Sequence, residues 1–455
     1  MTDVRGFRGL RFNVQDGSAI DRLGAVTCPP YDVISPAAQA EYHARSPWNV
    51  VRVELGLGPE NPNLPSNRYH DAATTLASWQ QTGALRRDPN PAIYLHEHEF
   101  EFGGKRFVRR GIMVAGRLHD WNEGVVRPHE HTRIGPKADR LALLQATATN
   151  TSPLWLVYHD DDGAVARALA DSWARVPDAV CDADGEVHRL IVIDDQHVVE
   201  AVTAAFATRP TYIADGHHRY ETAASYRDEC RARAVNSALS RDASEAAFEF
   251  ALWLLVDAAD PGLVVRPYHR VIGATGVLFD DALAILRADA EVEAIDRTEG
   301  VVGAMAALEE CARDEIVCVL WARDRACRIR PRAEGQWRTR LPHGHSEAWR
   351  SLDVVAIDSL VVREAFGIEA SAEESGTSHE IARLRYTPDA AEALRMVDSG
   401  TAEYALLVRP VRVAQVCAVA DAGDRMPPKS TYFHPKPVTG LVLNPLDDAP
   451  RAVAS

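Results

Sequence analysis

Two periods run through the apolar positions of the chain, and the points where one gives way to the other outline its elements. Alternation over 92–102 and again over 106–115, joined at Gly103-Gly104, predicts a β-hairpin, because a glycine pair accepts the positive φ angles of a two-residue turn. In the first of these strands His96 and His98 share a face with Phe100 and Phe102, and Glu97, Glu99 and Glu101 face the other way. Residues 49–55 alternate in the same manner and read as a strand. Ala72, Leu76 and Trp79 instead recur at helical spacing, which predicts a helix over 68–81 closed by Gly83. Ser35-Pro36 reads as the cap and first turn of a helix over 37–45.

Further along, the pattern predicts strands at 154–158 and 187–193, helices at 164–174 and 195–206, a polar helix or loop from 225 to 242 and a buried strand at 248–256. From 271 a second unit follows, with helices at 279–287, 302–313, 356–366 and 388–397, the last capped by Thr387. Its strands fall at 316–321 and 404–408, and a polar segment at 369–378. The expected fold class is mixed α/β (α+β), with an N-terminal region over 1–270, a C-terminal α/β unit over 271–443 and a tail over 444–455.

The densest chemistry lies where a short β-prone run, 211–214, meets Asp215-Gly216 and then His217-His218-Arg219 at the start of a helix. Gly216 lets the backbone approach a ligand, and the first N–H groups of a helix lack intrahelical acceptors beside the positive end of its dipole. Such a corner binds anions. The imidazoles and the guanidinium add charged donors. A second dense stretch, 127–140, carries His129, Glu130, His131, Arg133, Lys137, Asp139 and Arg140 on a loop stiffened by Pro128 and Pro136, before a helix that starts near Lys137. Its His-Glu-His spacing is not that of a zinc peptidase. Tyr31 and Asp32 stand on a proline-rich loop over 26–36. Lys429-Ser430-Thr431 resembles the end of a P-loop without the glycines one requires. His96 with His98 offers metal-ligand types at strand spacing, although buried hydrogen-bonded histidines satisfy the same pattern.

Composition narrows the picture. The 455 residues are 46% hydrophobic and 25% charged, as in an ordinary globular chain, and a net charge of -15 argues against a general grip on nucleic acid or anionic membrane. Residues 1–13 hold three arginines and no apolar run, and the most apolar segment, 250–256, is too short to span a bilayer; a cytoplasmic protein is expected. Seven scattered cysteines without a Cys-x-x-Cys pair point to reduced thiols rather than disulfides or thiolate-bound zinc.

Cys28-Pro29-Pro30-Tyr31-Asp32-Val33-Ile34-Ser35, Pro128-His129-Glu130, Lys137 with Asp139-Arg140-Leu141, Ala214-Asp215-Gly216-His217-His218-Arg219-Tyr220-Glu221 and Met426-Pro427-Pro428-Lys429-Ser430-Thr431-Tyr432-Phe433 together resemble, from near residue 6 to near 443, the bacterial and archaeal domain of unknown function 1015 family. The Asp-Gly-His-His-Arg turn is also similar, more distantly, to the nucleotide-phosphate turn of the ParB and sulfiredoxin superfamily, which includes CTP-binding partition proteins and free-serine kinases. Large insertions and the lack of an evident helix-turn-helix speak against a partition role.

What these resemblances imply is a ParB/sulfiredoxin-like nucleotide-binding core with large insertions, to which the Pro-Pro-Lys-Ser-Thr loop returns. The expected activity is a nucleotide-dependent kinase acting on a small hydroxy metabolite, such as free serine, with ATP or ADP and Mg²⁺ as cofactors. Asp215, Gly216, His217, His218, Arg219, Lys429 and Ser430 would hold the nucleotide, Glu130 or Asp32 would act as base, and Lys137 and Arg140 would neutralise charge. Tyr31, His129, His131 and Arg133 would contact the substrate. A nucleotide-binding switch without metabolite chemistry is the alternative. So is a hydrolase whose metal is gathered by His129, His131, His217 and His218. A homodimer is compatible with either.

Overall fold

The computed structural model describes residues 2–14, 22–132, 134–236, 245–368 and 383–446. Two compact units divide the chain: one takes 1–128, 132–263 and everything from 435 on, the other 129–131 and 264–434. The molecule is mixed α/β, as the sequence patterns predict.

The first unit is built on a nine-stranded mixed sheet in the order Val126–Arg127, Thr211–Asp215, Leu154–Tyr158, Phe250–Asp257, Lys105–Arg117, Ile93–Phe102, Glu186–Ile193 and Ala179–Ala183, with Val4–Arg5 also against Lys105–Arg117. The predicted hairpin forms about Gly103 and Gly104, at φ 58° and 72°. Phe250–Asp257 lies between an antiparallel and a parallel neighbour and is buried almost throughout, as a continuous apolar run requires. One face of the sheet carries Ile93, Leu95, Ile112, Val114, Leu156 and Trp253 into the main core. The other face buries His96, His98 and Phe100.

The helices Pro36–Arg45 and Arg68–Gln81 lie where the sequence puts them, capped by Ser35 and Asn67. Residues 49–55 do not form the expected strand. Val51–Glu54 is instead a helical turn, started by the Asn49 side chain, which accepts from Val51 N–H (3.0 Å) and donates to the carbonyls of Ala25 and Thr27 (2.9 Å each). Over four residues the two periods coincide, and the buried Asn49 decides between them. The helix expected over 164–174 ends at Leu169 and resumes as a 3₁₀ turn, and the strand Ala179–Ala183 carries no sequence signal strong enough to predict it. Helix Ile134–Thr147 begins before Lys137, with Pro136 in its first turn, where a missing N–H costs nothing. The segment from 225 continues the helix His217–Asn236.

The second unit has a six-stranded antiparallel sheet in the order Ala290–Ile295, Ala326–Pro331, Cys318–Trp321, Tyr404–Val408, His269–Ile272 and Leu384–Thr387, over a core that includes Val319, Leu407, Leu394 and Leu308. Its helices include Phe279–Leu286 and Gly300–Glu309. The helix expected over 388–397 runs Ala390–Asp398 and is capped not by Thr387 but by Asp389, whose carboxylate accepts from Ala391 and Glu392 N–H. Thr387 instead accepts from Asp389 N–H, so the two side chains build the cap in series. The helix expected over 356–366 is α-helical only for Asp353–Ile357, then widens into a π-helix over Asp358–Ala365. Residues 369–378 lie outside the described residues. No helix among the described residues is long and apolar enough to cross a membrane.

Candidate functional site

The strand Thr211–Asp215 ends in a bulge against Leu154–Tyr158, and Gly216 turns the chain into the helix at φ 98°. A side chain is excluded there on two grounds. The angle disfavours any L residue, and a Cβ would lie 3.1 Å from Leu154 Cδ2 and 3.2 Å from Arg219 Cζ. Tyr220 N–H closes the first turn on the Gly216 carbonyl (2.9 Å), so the amides before it lie ahead of the helical ladder.

Arg219 folds back on this corner. Its guanidinium donates to Asp215 Oδ2 (2.6 Å) and to the Pro153 carbonyl. The other oxygen of Asp215 receives Lys436 Nζ at 2.8 Å, and the same ammonium pairs with Asp32. Lys436 is held between Pro435 and Pro437, and the buried Arg109 donates to the Pro435 carbonyl (2.9 Å). Burial pushes the Asp215 carboxyl up, but Lys436 and Arg219 outweigh it and hold the acid well below its ordinary value. Lys436 is perturbed in the complementary sense: burial lowers its pKa, Asp215 and Asp32 raise it further, and the ammonium stays charged.

Tyr31 and Asp32 stand on the 3₁₀ turn Tyr31–Val33. The Arg140 guanidinium lies 4.1 Å from the centroid of the Tyr31 ring, donates to the Glu54 carbonyl (2.8 Å) and pairs with Asp139. Glu54, 1% exposed, accepts from Thr151 and Ser152 hydroxyls. Lys137 pairs with Glu221, which also accepts from Thr132 Oγ1 (2.6 Å). Beneath the corner, Glu54, Arg140, Thr151, Ser152 and Arg219 line a cavity of about 50 Å³. That volume holds a few waters and no nucleotide. Asp32, beside the corner, keeps 35% of its side-chain exposure and is open to a larger ligand.

The first unit thus brings together Tyr31, Asp32, Arg140, Asp215, Gly216 and Arg219, with His217 and His218 on the same first turn and Lys137 paired to its helix. His129, Glu130, His131, Lys429 and Ser430 belong to the second unit. There His129 Nε2 meets Thr431 Oγ1 at 3.1 Å, Met426 N–H donates to the His129 carbonyl (2.8 Å), and Ser430 Oγ donates to the Pro427 carbonyl (2.6 Å). Lys429 takes φ 57° and lies over the Tyr268 ring. Arg133 lies outside the described residues. Lys436 stands on the proline-stiffened loop that sequence reasoning sends back to the site, although Lys429 and Ser430 are the residues it singles out there; Glu54, which shows no signal, is missed.

The three-residue grouping with metal-ligand spacing among the described residues is His98, Glu186 and His188, not a set drawn from His129, His131, His217 and His218. Arg109 Nη2 donates to His98 Nδ1 (2.9 Å), so the proton of that ring sits on Nε2, facing Glu186 at 2.7 Å. His96 Nε2 and His188 Nδ1 share a second bond (3.0 Å). These contacts describe a hydrogen-bonded chain that links a buried guanidinium to a carboxylate through a neutral ring. Burial lowers the pKa of His96 and His188, the latter to about 3, and raises Glu186 to about 7.

Among solved structures the chain is similar to a free serine kinase in complex with AMP (14% identity, 72% of this chain and 89% of that one, TM-score 0.32). A conserved hypothetical protein from Pyrococcus furiosus gives 14% identity, 74% and 97% coverage and a TM-score of 0.32. SbnI with a C-terminal truncation from Staphylococcus aureus gives 9%, 73% and 87%, and 0.34. No curated protein matches the chain. One family model matches residues 4–355, which hold four of the five sequence stretches, all but Met426–Phe433, and the chain belongs to that family, described as protein of unknown function (DUF1015).

Proposed function

We propose that the chain is a nucleotide-dependent kinase of a small hydroxy metabolite, with free serine or a related hydroxy amino acid as the acceptor class. The observation that carries this reading is the Lys436 ammonium bonded to both Asp32 and Asp215, which ties an exposed carboxylate to the anion-binding corner at the start of a helix. Phosphoryl transfer needs donors around the phosphate, charge neutralisation and a group that positions the hydroxyl. The first-turn amides with His217 and His218 supply the donors. Lys436 and Arg219, fixed by carboxylates, supply an oriented positive field rather than a mobile grip.

In the step itself the acceptor oxygen attacks the terminal phosphorus, the bond from phosphorus to the bridging oxygen breaks, and the acceptor proton passes to a carboxylate. The nucleotide leaves one phosphate shorter. Asp32 is the base candidate of the first unit, and Glu130 is the one the sequence favours. Asp215 has both oxygens engaged and does not fit a magnesium ligand. Asp32, bonded through one oxygen, fits an ion carried in on the phosphates, and Mg²⁺ there would neutralise charge developing on the transferred group.

The test measures consumption of ATP or ADP with and without serine, threonine or homoserine, beside thermal stabilisation by ATP, ADP and CTP. The expected result is consumption that depends on the acceptor and is lost in Asp32→Asn or Glu130→Gln, with nucleotide stabilisation retained. Consumption indifferent to every acceptor replaces the kinase with a nucleotide switch. No stabilisation by any of the three nucleotides removes the phosphate site.

A further inference from the structure

The second unit holds a cavity of about 240 Å³, roughly five times the size of the one beneath Gly216. Flat surfaces bound it. The His345 ring stacks on Trp349 with centroids 3.8 Å apart and planes 10° from parallel, and Pro342 and Pro427 form further walls. The π-helix Asp358–Ala365 contributes Ser359 and Arg363, and Arg425 also lines the cavity. A π-helical stretch is rare and concentrates at functional sites, because it displaces side chains from the positions an α-helix would give them.

The charged groups around this cavity are unevenly paired. Asp358 is held by the fully buried Arg270 through two bonds of 2.8 and 2.7 Å. The Asp424 carboxylate accepts from Ser346 N–H and Arg425 N–H (2.8 Å each) and from His345 Nδ1 (3.0 Å), so it orients both walls of the cavity with backbone and imidazole donors. Arg363 donates to Ser359 Oγ and the Arg340 carbonyl, with Glu364 at 3.5 Å. The Arg425 side chain, in contrast, has one acceptor among the described residues, the Asp424 carbonyl at 3.1 Å, and no carboxylate within ion-pair distance. Burial lowers the pKa of this guanidinium and outweighs the opposing pull of the nearby Asp424 carboxylate. A partly buried cation with no carboxylate in direct contact with its guanidinium, set among flat apolar walls, favours a ligand that brings an anion on a flat body.

We propose that this cavity is a second small-molecule site and that it takes a small organic carboxylate with a flat apolar body. The carboxylate pairs with Arg425, with Arg363 beside it, and the flat body lies among the proline, imidazole and indole surfaces. Nothing in this reading requires phosphate; His131, which also lines the cavity, is a residue it shares with the kinase reading, and the preference for acid over amide is read without nucleotide, so the two are tested apart.

Calorimetric titration of the full chain with benzoate, phenylacetate and indole-3-acetate, each beside its own neutral amide, tests the proposal. At least one acid is expected to bind at one site per chain, more tightly than its amide by about tenfold or more, the factor a charge-assisted hydrogen bond supplies. Arg425→Gln removes that preference and Arg425→Lys restores part of it. If no acid binds more tightly than its amide, or if the preference survives in Arg425→Gln, the proposal fails. The comparison of acid with amide needs no variant, so a failure of Arg425→Gln to fold leaves the test intact.

Discussion

Replacing Lys436 with methionine removes an ammonium from between two carboxylates and keeps most of the side chain's bulk. The two acids respond differently. Asp32 is partly exposed and rehydrates, whereas Asp215 is left in a buried position with Arg219 as its remaining partner. Breaking a buried ion pair by removing one member costs about 3–5 kcal/mol, and because Arg219 still compensates Asp215 the penalty falls below that range, to about 2–3 kcal/mol. For a unit of this size that corresponds to a fall in melting temperature of about 3–5 °C.

The sign of the pH dependence follows from the two shifts. Asp215, depressed when folded, stabilises fully above its unfolded pKa of about 4 and loses that contribution as pH falls through its folded value. Lys436, raised when folded, stabilises fully below its unfolded pKa of about 10 and loses it at higher pH. Between about pH 4 and 10 both contributions are constant. Urea unfolding of parent and variant, which leaves ionic strength unchanged, should therefore give the same penalty at pH 6 and pH 8, little changed by added salt and smaller below pH 4. A penalty under about 0.5 kcal/mol, or one that salt erases, would mark the contact as an ordinary surface pair and refute the reasoning.

Gly216→Ala should destabilise by about 1–3 kcal/mol from its backbone angle alone, and more if Leu154 and Arg219 cannot give way; an unchanged urea midpoint would show that the corner is not held as described. Asp358→Ala strands the fully buried Arg270 and should cost about 3–5 kcal/mol, read from the unfolding of the second unit by calorimetry. Glu186 is raised to about 7, so its contribution is full below its unfolded pKa near 4.3 and declines as pH rises to 7. The stability of Glu186→Gln relative to the parent should then grow by about 2–3 kcal/mol between pH 5 and pH 8. Taking the difference cancels the opposite slope that neutral His96 and His188 impose on both proteins, and a flat difference would place Glu186 in water.

What the sequence discloses of this molecule is what its neighbours along the chain decide. The corner at Gly216 was legible because strand propensity, an Asp-Gly turn and a helix follow one another within ten residues, and the structure repeats that order. The end of Arg68–Gln81 was equally local, since Gly83 follows it at φ 75°. Val51–Glu54 was not, because its helical turn is fixed by Asn49 bonding to carbonyls some twenty residues away, and Glu54 looked like the solvent-facing member of an alternating strand. Lys436 illustrates the same limit at the site. Its two partners lie 404 and 221 residues earlier, and no local pattern announces such a bond. The Arg219 role also depends on distance along the chain: its second acceptor, the Pro153 carbonyl, comes from another strand's edge, and it converts an expected free donor into a fixed one.

The chain leaves the first unit at Leu263 and comes back to it only at Pro435. On a ribosome, which releases the polypeptide from its N-terminal end, the sheet strands and the Asp215 corner emerge long before Lys436 does. A nascent chain halted anywhere within the second unit exposes two acids with no ammonium between them. Completion of translation is therefore a precondition for the charge arrangement at the corner, and prematurely terminated products lack it by construction rather than by degradation.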